Sequence, residues 1–205
     1  MTLAPVVALA GRRIDPPNPA TPRFPLGNAP LVRERLRTLF VACRADTLVC
    51  SAACGADLLA LEVATSLGLR RRVVLPFEPG RFRETSVVDR PGDWGTLFDR
   101  LIDAVARATD LVVLSGAAEG DAAYAAANQA ILDEAVRLTQ ARDLATDLLG
   151  PAEEMKPLLA LVVWDGKSRG NGDLSARFGA AARARGLPVV DVLTIDTLEG
   201  AGAGA

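Results

Sequence analysis

Three short stretches of the chain carry residue types suited to holding an anion. Gly11-Arg12-Arg13 follows the apolar run Pro5–Ala10, and Ala52-Ala53-Cys54-Gly55-Ala56-Asp57 follows Thr47–Ser51. Asp165-Gly166, then Gly170 and Gly172-Asp173, follow Leu158–Trp164. An arginine fork matches phosphate oxygens, and small residues let main-chain N–H groups come close to them. Gly55 tolerates dihedrals closed to other residues. A helix opening at Ala56-Asp57 would point its first free N–H groups at whatever lies above the strand, which makes a ready anion site. The competing reading is a tight strand-to-helix turn in which Asp57 is an early-helix acid stabilised by the helix dipole. Gly116 adds a fourth glycine-bearing strand end, the exception being Pro76-Phe77. Glycine at four of five ends, with arginine at the first, favours a phosphate-bearing ligand.

The chain contains no histidine. Histidine-based triads, histidine–metal sites and histidine general bases are therefore excluded. Cys43, Cys50 and Cys54 are an odd, unpatterned set without zinc spacing, read as reduced core residues of a cytoplasmic protein. Neither the dinucleotide-binding G-x-G-x-x-G fingerprint nor a Walker loop occurs, so neither NAD nor P-loop chemistry is expected. No cofactor and no metal is expected. The formal net charge is −2 with both signs interspersed, which disfavours nucleic acid as a partner. No apolar run reaches the ~18 residues of a membrane span, and the start Met-Thr-Leu-Ala-Pro lacks the pattern of a secretory signal.

The elements that must carry these stretches follow from periodicity. Pro5–Ala10, Thr47–Ser51, Val73–Leu75, Leu111–Leu114, Leu158–Trp164 and Pro188–Leu193 are short apolar runs, as strands buried on both faces should be. Between them lie amphipathic segments at helical spacing: Leu31–Ala45, Ala56–Leu67, Trp94–Ala108, Ala122–Leu149 (one helix or two) and Leu174–Arg185. The proline-rich stretch from Pro16 to Pro30 excludes helix and central strand and reads as a long loop pinned by Phe24 and Leu26. Arg81–Asp93 reads as a polar surface loop or lid, and Arg70–Arg72 as a surface cluster leading into a strand. Strictly alternating strands and helices predict an α/β protein: a three-layer Rossmann-like fold, its mostly parallel sheet of about six strands carrying helices on both faces. Residues 1–198 are expected to form one domain and 199–205 a flexible small-residue tail. Ligands of such sheets sit outside the carboxyl ends of the strands, where the strand order reverses.

Several of these residues together carry a family resemblance. Val7–Asp15 (VALAGRRID), Ser51–Glu62 (SAACGADLLALE), Val74–Phe77 with Arg81-Phe82 and Thr85-Ser86-Val87, Tyr124 with Asn128, and Val163–Gly166 (VWDG) resemble the SLOG superfamily. That Rossmann-like group includes the DprA/Smf proteins and the LONELY GUY phosphoribohydrolases. The resemblance covers nearly the whole chain and implies a nucleotide or nucleotide-derived ligand at the strand ends. It assigns phosphate contacts to Gly170–Asp173 and base or ribose contacts to Gly11–Arg13 and Gly55–Asp57. This chain departs from the pattern by carrying Arg12 where relatives commonly carry His, and Gly172-Asp173-Leu174 where they tend to carry Gly-Gly-Thr. Asp173 would repel a phosphate that it faced. The glutamate that follows that loop in the hydrolases is missing from Leu174–Phe178.

The function so implied is binding or sensing of a nucleotide-derived molecule; the alternative is an N-glycosidase acting on a nucleoside monophosphate. Glu62 is the remaining catalytic candidate, weighed against an exposed helix glutamate. Tyr124 and Asn128 are one turn apart and share a helix face that can close over a base. Trp164 and Phe77 stand at strand ends, Trp164 being read as either core or a stacking platform. Arg81, Arg83 and Arg90 are either solvated or part of an anion clamp, and Cys54 is either a packing residue or a thiol activated by a helix N-terminus. The Ala-rich segment Ala122–Ala135 would suit close helix packing in a homodimer.

Overall fold

The computed structural model describes residues 5–116, 119–147 and 158–196. The tail expected from 199 onward, and the helix end expected at Pro151, lie outside the described residues. Among the described residues are six strands and six α-helices, with one helix between successive strands except for two between β3 and β4: β1 (Val6–Gly11), α1 (Ala29–Ala42), β2 (Thr47–Cys50), α2 (Ala56–Ser66), β3 (Arg70–Leu75), α3 (Pro79–Ser86), α4 (Trp94–Arg107), β4 (Leu111–Val113), α5 (Gly120–Asp147), β5 (Leu158–Trp164), α6 (Leu174–Ala184) and β6 (Val189–Leu193).

All strand pairs are parallel, in the order β4-β3-β2-β1-β5-β6. The chain winds outward from β1 to β4, then returns to the other side of β1 for β5. The reversal therefore falls at β1, between β2 and β5, and this is a three-layer Rossmann-like fold. β1 is buried along nearly its whole length, and its side chains alternate between two cores. Val7 and Leu9 face Leu36, Phe40, Leu58, Leu61 and Phe98, on the side of α1, α2 and α4. Val6, Ala8 and Ala10 face Ile131, Leu132 and Ala135 of α5 with Phe178 and Ala182 of α6. The continuous apolar run of β1 thus reflects two buried faces. Burial of each large aliphatic or aromatic side chain contributes roughly 1.5–3 kcal/mol.

Three details differ from the sequence reading, and a fourth decides between alternatives it left open. Pro79–Ser86, expected to be irregular, is α3. Pro79 suits a first helical turn, and the single buried aromatic Phe82 anchors the helix between Phe77 and Phe98. Arg70–Arg72 lie inside β3; Arg70 and Arg72 pair with Asp110, and Arg72 also with Glu134, so the strand can begin with charge. The proline-rich loop is pinned by Phe24, which is fully buried, and by Asp15, whose carboxylate accepts from the N–H groups of Arg23 and Phe24. Leu26 is exposed and does not share that role. Ala122 onward is one continuous helix through Asp147, whose Ala123, Ala127 and Ala135 are buried within the chain.

Candidate functional site

The turn after β2 is stitched to the loop after β1. The Ala56 N–H donates to the Arg12 carbonyl (3.1 Å), and Arg13 and Gly55 form an antiparallel bridge. The Cys54 N–H donates to the Ser86 carbonyl (3.0 Å), and the Ala53 N–H to Asp57 Oδ2 (3.1 Å). Gly55 has φ +97°, and a Cβ there would lie 2.8 Å from Ile14 N and 2.9 Å from the Arg12 carbonyl oxygen. A Cβ on Gly11 would fall 2.5 Å from the Ala56 Cβ. The small residues Gly11, Ala52, Gly55 and Ala56 therefore serve chain-to-chain contact. At the start of α2, expected as an open anion site, the Ala56 N–H and the Leu58 N–H (3.3 Å to the Ala53 carbonyl) are already engaged inside the protein. Cys54 is buried, burial pushes its thiol up despite Arg13 nearby, and it acts as a packing residue.

The turn after β5 is also closed from within. Arg12 is almost completely buried, and each of its guanidinium nitrogens donates to an internal acceptor. Nη1 reaches Asp173 Oδ1 and Nη2 reaches Asp173 Oδ2, both at 2.8 Å; Nε and Nη2 reach Asp165 Oδ1 at 3.1 and 3.0 Å. Arg23 Nη1 holds Asp165 Oδ2 at 2.7 Å. Asp173 also caps α6, accepting from the N–H groups of Ser175 and Ala176, and from that of Arg169. Burial would push the Asp173 carboxyl up, but the bonds from Arg12 and from these N–H groups outweigh it and hold it below the usual range. Gly166 and Gly170 have φ of +77° and +91° and turn the loop so that the Lys167 carbonyl and Arg169 N–H reach these partners. The phosphate cradle expected at Gly170–Asp173 is thus filled by the chain's own carboxylate. Arg12, Asp165 and Asp173 form an ion-pair knot that orders the floor of the site.

Two joined cavities stand above this floor. The inner one, about 100 Å³, is walled by Ala10, Gly11, Arg13, Ser51, Ala53, Asp57, Phe82, Ser86, Tyr124, Asn128 and Ser175, among others. The outer one, about 260 Å³, shares Gly11, Arg13, Tyr124, Leu174 and Ser175 and adds Asp15, Arg23, Arg90, Asp121 and Arg169. Five arginines (Arg12, Arg13, Arg23, Arg90 and Arg169) and two aspartates line the outer cavity, the arginines being paired in turn with Asp89, Asp165 and Asp173. Among the described residues, five buried side-chain atoms have no hydrogen-bond partner: Arg13 Nε, Ser51 Oγ, Asp57 Oδ1, Arg71 Nε and Arg90 Nε. Four of the five belong to residues that line these cavities. A buried polar group without a partner is costly, and four such groups gather around these cavities. Burial pushes the Asp57 carboxyl up to about 7, against the opposing pull of the Ala53 N–H and of Arg13. It therefore exchanges its proton near neutrality.

The roof is α5. Tyr124 Oη and Ser86 Oγ are 2.8 Å apart, and the Tyr124 ring meets Phe77 edge-on with centroids 5.8 Å apart, which ties α5 to α3. Asn128 Nδ2 donates to the Leu174 carbonyl (3.2 Å), which ties α5 to α6. Arg13 is held by an ion pair with Asp89.

Of the residues singled out from sequence, Gly11, Arg13, Asp57, Tyr124 and Asn128 wall the cavities, and Arg12 borders the outer one with its donors engaged. Phe77 lies behind Tyr124 with the Arg81 guanidinium 4.6 Å above its ring. Trp164 Nε1 donates to Asp191 (3.1 Å), and its ring packs on the second core. Glu62 bonds Arg33 at 2.8 Å and borders a separate groove, so it is not brought to the strand-end site. Arg83 pairs with Asp99 and Arg81 with Glu119, which leaves Arg90 as the member of that set that reaches the outer cavity. The sequence reading did not single out Ser51, Ser86, Arg23, Arg169 and Ser175 as site residues. Ser51 stands at the end of β2 and was the most findable of these; the others reach the site only through tertiary packing.

Among the described residues no group of histidine, cysteine, aspartate or glutamate could hold a metal ion, and no helix is long and apolar enough to cross a membrane. In comparisons with known proteins, no family model matches the chain and no curated protein matches it.

Proposed function

We propose that this chain binds or senses a nucleotide or nucleotide-derived molecule in the two joined cavities at the carboxyl ends of its parallel strands. The observation that carries the reading is the clustering of unpartnered buried polar atoms on Asp57, Ser51, Arg13 and Arg90 around one hollow. The hollow lies at the reversal of strand order, where ligands of open α/β sheets bind. The outer arginines suit a phosphate, and the inner cavity suits a neutral polar group. The sequence resemblance to the SLOG superfamily supports the same ligand class, with the phosphate moved from the Gly170–Asp173 loop to Arg13, Arg90 and Arg169. Calorimetric titration and thermal shift against a panel of nucleoside mono-, di- and cyclic phosphates test the reading. Binding weakened by Arg90→Ala supports it; no binder at millimolar concentration ends it.

One observation favours an enzymatic reading as well. Asp57 carries a proton near neutrality inside the cavity, which is what an acid assisting departure of a nucleobase requires. Base release from a nucleoside monophosphate, abolished by Asp57→Asn and untouched by Glu62→Gln, would establish hydrolysis. An inert protein that still binds nucleotide would leave the sensing role alone.

A cytoplasmic location belongs to the same proposal and rests on the three free cysteines. A homodimer through α5 would have to use its outward alanines, such as Ala122 and Ala126, because Ala123, Ala127 and Ala135 are buried in the chain itself. Light scattering during size-exclusion chromatography reads that state.

A further inference from the structure

The sheet ends on β6, and that edge is open. The Ala160 N–H donates to the Pro188 carbonyl (3.0 Å) and the Thr194 N–H to the Trp164 carbonyl (2.9 Å), which sets the phase of the β5–β6 ladder. Residues 188, 190, 192 and 194 therefore bond inward, and Val189, Asp191 and Leu193 turn their N–H and C=O groups outward. Arg35 Nη1 takes the Leu193 carbonyl (2.7 Å). Among the described residues, nothing takes the other outward groups of these three, and such a row is a template for one more strand.

Beside the edge runs a groove of about 490 Å³ between α1 and β6, lined by Leu31, Leu39 and Ala42 with Val192 and Leu193. Val190, on the same face of β6 as Val192, and Val41, two turns after Glu34 on α1, are 37% and 58% exposed at its flanks. The charges there are unbalanced. Arg35 is spent on the Leu193 and Ile195 carbonyls and on Asp196 (2.9 Å). Glu34, at the rim, has no ion pair among the described residues. Asp191, turned to the α6 side, keeps Trp164 Nε1 (3.1 Å) and a long contact to Arg183 (4.0 Å). A second copy of the chain matches this edge poorly. Pairing β6 with itself across a two-fold axis sets Asp191, its middle residue, opposite or diagonal to its own copy, and like charges so placed repel.

We propose that β6 and α1 form a docking edge for an extended segment of another polypeptide in which apolar and basic residues alternate. The segment adds a strand beside β6; its apolar side chains enter the groove and its basic ones stand on the α6 side by Asp191. The edge lies apart from the strand-end cavities, so it stands or falls independently of the nucleotide reading.

A fluorescein-labelled peptide Val-Lys-Val-Lys-Val-Lys-Val, blocked at both ends, tests the proposal by anisotropy titration and amide hydrogen exchange. It should bind at least about tenfold more tightly than its glutamate-for-lysine counterpart, and N-methylation of alternate residues should abolish binding. Exchange at the amides of Val189, Asp191 and Leu193 should slow at least about tenfold in the complex. Asp191→Lys should reverse the charge preference, and Ala42→Arg, at an exposed position that fills the groove, should remove binding while circular dichroism shows both variants folded. No binding at millimolar peptide, equal affinity for the lysine and glutamate peptides, or binding without protection of those three amides overturns the proposal. Protection of the same amides in the free protein also overturns it: independent of concentration, it means that the chain covers its own edge; rising with concentration, it means that a second copy does.

Discussion

Arg12 and Asp173 stand 161 residues apart in the sequence and face each other through two parallel hydrogen bonds, Nη1 to Oδ1 and Nη2 to Oδ2, each 2.8 Å. The same carboxylate caps α6, so the chain supplies its own anion to a helix N-terminus that would otherwise attract one from solution. This contact welds the loop after β1 to the loop after β5 and lays the floor of the site.

Removing one member of that knot should be severe. Arg12→Ala leaves Asp173 and Asp165 buried without their main partner, and a loss of about 3–5 kcal/mol is expected. Arg12→Lys cannot reproduce the fork and should recover only part of it. Urea unfolding followed by circular dichroism measures both; a loss below about 1 kcal/mol for Arg12→Ala would contradict the buried pairing.

Gly55→Ala should be costly and Gly172→Ala nearly silent. At Gly55 the added Cβ meets backbone atoms of Ile14 and Arg12 at φ +97°, and backbone cannot yield as a side-chain tip can. A loss of roughly 1–3 kcal/mol is expected, with weaker ligand binding because the first loop must shift. Nothing lies near a Cβ on Gly172, and its change should stay within about 0.5 kcal/mol. Thermal melts of the two variants decide.

Asp57 gives stability a pH dependence of unusual sign. Its carboxyl is raised from 3.8 to about 7, so the folded state holds the proton more tightly than the unfolded chain does. Its contribution is full below about pH 4 and is lost as pH rises through about 7, a cost on the order of 4 kcal/mol. Asp173 runs the other way, being held below its ordinary value, so its contribution is lost as pH falls below the usual carboxylate range. The stabilising effect of Asp57→Asn should therefore grow between pH 5 and pH 8. A melting-temperature difference that stays flat across that window would refute the assignment.

The outer arginines should matter for affinity and not for folding. Arg90→Ala and Arg169→Ala remove charge from the outer cavity while breaking only long contacts to Asp89 (3.6 Å) and Asp173 (3.8 Å). Each should weaken a nucleoside monophosphate about five- to tenfold and change stability by less than about 0.5 kcal/mol. Arg33→Ala, whose partner Glu62 lies at another groove, is the matched control and should leave binding intact.

The alternation of apolar runs with amphipathic segments determined the fold class, because strands buried on both faces and helices buried on one leave different periodicities in the chain. It also put Gly11, Gly55 and Asp57 at strand ends, since turns between such elements must fall where the apolar runs stop. Tertiary structure decided what each of those residues does. Arg12 and Arg13 are neighbours of one type, yet Arg12 turns inward to Asp165 and Asp173 while Arg13 lines the hollow. Arg12 is turned by carboxylates more than 150 positions away and Arg13 is held by Asp89, 76 positions away, and local pattern carries no such information. Likewise, the helical spacing of Glu62 gave no sign that its partner would be Arg33, on a helix packed beside α2. Charge pairing across a fold is settled by which surfaces meet, and only the packed sheet and its helices bring those surfaces together.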